Sequence, residues 1–226
     1  MVLEGIDGVG KTTLSAAVVD RLADLSVVNQ NTKEATEQPV FARTSMEALA
    51  RLLWPVEDTT FDHHMPPEYW LYLQATWYTL LSSFIVRPRV ERGGLLLAGG
   101  WYFKFFVKLL QRRFDAHFLN SVFEHVVQPE IVVLLDADVE QIWHRGQPFR
   151  AAEMGLHQGY PELGQASFVD YQSELRDIFR DTANQRGWIT LQLDPLAPTD
   201  ANADIIADRL RSELQRLGQL PGVKPI

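Results

Sequence analysis

Gly5-Ile6-Asp7-Gly8-Val9-Gly10-Lys11-Thr12 is the stretch that decides the fold. It fits the spacing G-x-x-x-x-G-K-[ST] of a phosphate-binding loop. Glycines let successive backbone N–H groups turn inward toward phosphate oxygens. Lys11 supplies a point charge for the β- and γ-phosphates, and Thr12 supplies a hydroxyl for Mg²⁺. A helix beginning at Lys11 adds its positive N-terminal end. The competing reading is a chance Gly-rich turn, and the context argues against it. A short apolar strand, Met1-Val2-Leu3-Glu4, leads into the loop. After it, Leu14, Val18 and Leu22 recur every fourth residue, as on one face of a helix over 11–25. Gly5, Asp7, Gly8, Val9, Gly10, Lys11, Thr12 and Thr13 are therefore the expected nucleotide contacts, with Thr12 also at the metal.

Outward from the loop, strand and helix patterns alternate. A weak strand candidate covers 27–36 and ends at Pro39. A helix over 45–53, with Ser45 as N-cap, closes at Trp54-Pro55 and gives way to a polar loop. Pro66-Pro67 opens a helix over 68–84 that Arg87-Pro88 ends. Leu95-Leu96-Leu97-Ala98 and Ile131-Val132-Val133-Leu134-Leu135 are continuous apolar runs, the pattern of strands buried on both faces. Between them a helical stretch over 101–123 breaks near Asp115. A helix over 139–144, a loop over 146–164, a helix over 168–186 and a strand over 189–193 follow. The last element is a helix over 200–217, with Ile206, Leu210, Leu214 and Leu217 on one side and Gly218 as its C-cap. This order predicts an α/β chain: a three-layer α/β/α fold around a parallel sheet of about five strands, with 1–226 forming one domain.

Composition bounds the function. The 226 residues carry 21 Lys+Arg against 29 Asp+Glu, a net charge of −8, and no Cys. Disulfides, thiolate metal sites and cysteine nucleophiles are excluded. The acidic balance argues against broad binding of nucleic acid or anionic membranes, though not against a local basic pocket. The most apolar stretch, 95–110, contains Gly99, Gly100, Lys104 and Lys108 and falls short of the roughly 20 apolar residues of a membrane span. No signal peptide precedes the loop, so a cytoplasmic protein is expected. The first strand is so short that a few residues are expected ahead of Met1.

With the rest of the chain, the loop resembles thymidylate kinase and its relatives among the nucleoside monophosphate kinases. Leu3 through Thr13 is similar to that family's first strand and loop. Thr36-Glu37-Gln38-Pro39 sits where the family has T-R-E-P. Ile85 to Gly93 is similar to its I-x-P-x-L-x-x-G stretch, and Pro129-Glu130 through Asp136 to its P-D-x-x-x-x-L-D strand. Phe168 to Leu175 loosely resembles the helix after its lid. The resemblance implies ATP and Mg²⁺ as cofactors and phosphoryl transfer to a nucleoside monophosphate, with dTMP the first candidate. It also implies a possible homodimer.

Departures fall in the acceptor half of the site. The family's D-R after its third strand reads Gly99-Gly100, and its A-A-R reads Ala75-Thr76-Trp77. The family's A-Y-Q is not visible in 103–111. Because the loop position that carries an Arg in some members is Gly8, the resemblance implies a lid arginine from 144–165. Arg145 and Arg150 are the candidates, to stabilise charge on the moving phosphoryl group. Two solvated loop arginines are the plainer alternative.

Trp77, Tyr78, Trp101 and Tyr102 cluster where an acceptor base would stack, although core packing is the reading for most of them, with one or two facing the cleft. Lys104 is a candidate replacement for the missing Arg, and Arg51 a candidate phosphate contact. Asp7 is placed beside the acceptor. Asp136, at a strand end, is read as structural rather than metal-binding. His63-His64 with Asp62 is read as a solvated loop, not a metal site. Two rival functions stay open: an ATP-binding protein with little or no kinase activity, and a kinase for a different small acceptor.

Overall fold

A computed structural model describes residues 1–22, 27–29, 39–54, 65–146 and 148–219. Strand β1 (Val2–Glu4) leads into the loop and helix α1 (Lys11–Arg21). Strand β2 (Val27–Asn29) and helix α2 (Val40–Leu53) follow. Helix α3 (Pro67–Leu81) continues through a π-helical turn (Ser82–Val86) into α4 (Arg87–Glu91). Next come β3 (Leu95–Leu97), α5 (Phe103–Gln111), α6 (Ala116–Val122), β4 (Val132–Asp136) and α7 (Val139–His144). Two 3₁₀ turns precede α8 (Gln165–Arg186), β5 (Ile189–Gln192) and α9 (Thr199–Arg216).

Among the described residues, every strand pairing is parallel. β4 lies between β1 and β5, and β2 pairs with β3. The expectation of one sheet of about five strands is corrected to a three-stranded sheet with a two-stranded pair beside it. A single bridge joins them: Leu3 N–H donates to Ala98 O at 2.8 Å, and Ala98 N–H donates to Met1 O at 3.0 Å. The Met1 ammonium also donates to Leu96 O at 2.8 Å, so β1 and β3 run side by side through three hydrogen bonds around that bridge.

Successive residues on a strand point to opposite faces, and both faces are covered. Leu3, Leu97 and Val133 pack with α1, α8 and α9, where Val18, Phe179 and Leu210 are buried. Val2, Leu96, Ala98 and Val132 pack instead with Leu71, Phe106 and Phe123. That double burial is why β3 and β4 read as unbroken apolar runs.

Several boundaries differ from the sequence reading. α2 starts at Val40 after Pro39, so Ser45 is inside the helix and caps nothing. Arg87-Pro88 does not end the third helix. The π turn ahead of Pro88 loosens the hydrogen-bond ladder where proline lacks an N–H, and the helix carries on to Glu91. The break near Asp115 is as expected. Arg113 takes φ 67°, and Asp115 caps α6 by accepting from Phe118 N–H at 2.8 Å. Gly187 ends α8 in the left-handed conformation. Residues 30–36 of the expected second strand, Glu37-Gln38, and the 56–64 loop, with Asp62, His63 and His64, lie outside the described residues. Among the described residues, no helix is long and apolar enough to cross a membrane.

Candidate functional site

The loop sits at the C-terminal end of β1, between α1 and the end of β4. Gly5 has φ 147°, and a Cβ there would lie 2.6 Å from the Leu135 carbonyl oxygen, so only glycine lets the chain leave β1 against β4. Gly8 and Gly10 take φ 78° and 99°, turning the backbone into a nest of N–H groups at the start of α1. Val9 is buried beneath the loop. Lys11 Nζ folds back across it, donating to Gly5 O and Ile6 O at 2.7 Å each. Burial, with Lys104 nearby, lowers the Lys11 ammonium to about 8, against the pull of Asp7 and Glu4. Thr12 and Thr13 are exposed on the first turn of α1.

The segment after β4 closes over one side of this loop. Asp138 caps α7 through Gln141 N–H at 2.9 Å, which directs the chain to Arg145. The Arg145 guanidinium donates to the Gly8 carbonyl, and its Nε is buried without a partner among the described residues. Burial lowers its pKa below the ordinary guanidinium value. Phe149 stacks on Trp143 (5.4 Å between ring centroids) and meets Phe168 at a tilt (4.2 Å), and its ring edge covers Gly8. Arg150 is exposed, and its backbone N–H donates to Glu153 Oε2 at 3.0 Å. The structure thus brings Arg145 to the loop and leaves Arg150 outside it.

On the opposite side Asp7 is buried and clamped. Lys104 pairs with Oδ1, and Lys108 Nζ lies 3.0 Å from Oδ2. Asp7 N–H donates to Gln172 Oε1 at 3.1 Å. Burial alone would raise this carboxyl, but Lys104, Lys108 and Lys11 together hold it well below the usual carboxylate range. Lys108 and Gln172 escaped the sequence reading. The signal for Lys108 is its spacing of four from Lys104, which places both on one face of a helix.

Glu4, at the end of β1, is also buried. Its Oε1 accepts from Trp101 N–H at 2.6 Å, and its Oε2 has no partner among the described residues. Burial pushes this carboxyl up to about 7 despite Lys11 and the Trp101 N–H.

The aromatic candidates divide. Trp101 and Tyr102 are core, and the reading of their rings as an acceptor platform is corrected. Trp101 Nε1 donates to Val127 O at 3.0 Å, and Tyr102 stacks on Phe123 at 4.5 Å and donates to Gln128 Oε1 at 2.8 Å. Tyr78 is buried against both and donates to Trp101 O at 3.1 Å. Trp77 is half-buried and meets Trp54 edge-on at 5.1 Å. Arg51 is exposed near the end of α2. Asp136 accepts from Arg176 Nε at 2.5 Å and Arg180 at 2.7 Å, which binds the end of β4 to α8. At the other end of the strands, two cavities of about 330 and 600 Å³ share Gln128, Pro129 and Glu130, and neither includes a loop residue.

No protein-family model matches the chain, and no curated protein matches its sequence. Among the described residues, no three His, Asp or Glu side chains converge as a metal site. The loop's donors are backbone N–H groups, an ammonium and a guanidinium, a set suited to polyphosphate oxygens. The exposed Thr12 hydroxyl suits a hard cation that the same phosphates would carry.

Proposed function

We propose that the chain is a P-loop kinase of the nucleoside monophosphate kinase type, which takes a phosphoryl group from ATP and passes it to a nucleoside monophosphate, dTMP first among the candidates. The observation that carries this reading is the convergence of Lys11 and Arg145, from separate elements, on one glycine nest. Phosphoryl transfer needs little covalent work from a protein. It needs alignment of donor and acceptor and cations where negative charge develops.

In this reading the N–H groups of Gly8 through Thr12 hold the β- and γ-phosphates. Lys11 gives up its two loop carbonyls to a phosphate oxygen, a stronger, charge-assisted partner. Arg145 stabilises the transferring group from the lid side. Thr12 would hold Mg²⁺, which when bound offsets charge on the phosphates. In the empty loop Lys11 protonation falls off above about pH 8, so ATP affinity is expected to decline through that pH.

The test is ADP release with Mg·ATP across the common nucleoside monophosphates. If no acceptor raises turnover above the blank, the kinase reading fails. A second reading, ATP binding with little or no transfer, is favoured by Gly99. The end of β3 runs so close to α1 that a Cβ there would lie 2.5 Å from Ser15 Oγ, leaving no room for the carboxylate of the resembled family. Tight ATP binding together with silent acceptors would select it.

A further inference from the structure

Lys104 and Lys108 lie one turn apart on α5, and both reach Asp7. One carboxylate neutralises one ammonium, so the group keeps a net positive charge beside the loop. Each ammonium has three donors, and Asp7 engages one of each. The lysine side chains are 25% and 20% exposed, whereas Asp7 is 3% exposed beneath them.

Asp7 is fixed from the far side. Gln172 binds its backbone N–H at 3.1 Å, reaches its Oδ2 at 3.4 Å and is itself anchored by donating to Glu153 O at 2.7 Å. The preceding residue on α8, Tyr171, is fully buried, and its hydroxyl has no hydrogen-bond partner among the described residues. Its ring lies 5.7 Å from Lys108 Nζ. A net cation pair with spare donors and an orphaned buried hydroxyl on its flank is an arrangement left incomplete without an anion.

We propose that Lys104 and Lys108 form the binding site for the anionic group of the acceptor, a phosphate monoester, with Asp7 as the positioning residue that holds both ammonium groups in place. This rests on the kinase reading, because the neighbouring loop is what sets a phosphoryl donor beside the pair. A dianion neutralises the remaining positive charge, and a neutral nucleoside does not.

The experiment is calorimetric titration of inorganic phosphate into the full chain, both free and with its loop filled by Mg·AMPPNP. The loaded wild type is expected to bind phosphate. Lys104→Met and Lys108→Met should each weaken this at least about tenfold, or ~1.4 kcal/mol. The double Lys→Arg variant, which keeps both charges, should stay within about threefold. No phosphate binding by the loaded wild type, or unchanged binding in folded Met variants, overturns the proposal.

If a Met variant fails to fold, the wild type decides. Phosphate should slow reductive methylation of Lys104 and Lys108 at least about threefold, and equal modification with and without phosphate overturns the site. Failure of AMPPNP to bind sinks the nucleotide reading alone, and the same phosphate titrations of the free chain still judge the lysine pair.

Discussion

Gly99→Ala is expected to destabilise the fold and weaken ATP binding, because β3 ends against the first turn of α1. A Cβ at 99 would lie 2.5 Å from Ser15 Oγ, 3.2 Å from Ser15 Cβ and 3.0 Å from the Lys11 carbonyl oxygen. Backbone strain does not enter, since the φ of Gly99 is outside the left-handed region. Ser15 is fully buried and donates to Thr12 O at 2.9 Å. Rotating that hydroxyl away gives up its bond to Thr12 O, at ~1 kcal/mol. The Lys11 carbonyl cannot rotate, so α1 must shift, with an over-packing strain of about 1–3 kcal/mol. The sum, about 2–4 kcal/mol, corresponds to a melting point lowered by roughly 5–15 °C in a chain of this size.

Thermal melts of Gly99→Ala, Gly99→Asp and the double variant Gly99→Ala with Ser15→Gly test this directly. Removing the Ser15 side chain should recover part of the loss, seen as a coupling of at least ~1 kcal/mol. Because the shifted turn carries Lys11 and Thr12, ATP affinity should fall about tenfold with it. The reasoning is refuted if Gly99→Asp melts like wild type, or if it gains kinase activity.

Three further outcomes are expected. Glu4 binds its proton more tightly folded (about 7) than unfolded (4.5). Its stabilising contribution is therefore complete below about pH 4.5 and lost as pH rises through 7, by ~3 kcal/mol. Urea midpoints of Glu4→Gln should lack that fall, and a fall matching wild type would count against it. Asp136→Asn should cost about 1–3 kcal/mol by leaving Arg176 and Arg180 without their shared carboxylate, the partial exposure of both arginines keeping the loss modest. Its ATP affinity should stay within about threefold of wild type, and a collapse of Mg·ATP binding in the folded variant would show a metal role instead. Arg145→Met should lower kcat about 100-fold or more with little change in ATP affinity, whereas Arg150→Met should stay within about twofold. Equal effects of the two in steady-state kinetics would reject the assignment.

Local spacing made the loop legible. Glycines at 5, 8 and 10, followed by Lys11 and an amphipathic helix, are features of one continuous segment, and the backbone there does what the spacing requires. The apolar runs at 95–98 and 131–135 were legible for the same reason, since a strand buried on both faces has no polar side to show. The break at Asp115 and the cap at Gly187 follow from residue chemistry alone.

What the sequence by itself determined was therefore a glycine nest, followed by Lys11 and a helix, at the end of a parallel strand. Tertiary structure decided everything that depends on which side chains meet across the chain. It set Arg145 against Gly8 and left Arg150 in solvent, though the two arginines look alike in sequence. It buried Trp101 and Tyr102, whose aromatic character fits a core as well as a cleft. It divided the expected sheet into three strands and two, joined where Val2 bridges to Ala98 just beyond the end of β3. And it gathered Asp7, Lys104, Lys108 and Gln172, up to 165 residues apart, into one charged cluster. Periodicity records which face of an element is buried, but the partner across the cleft is fixed only by how the elements pack.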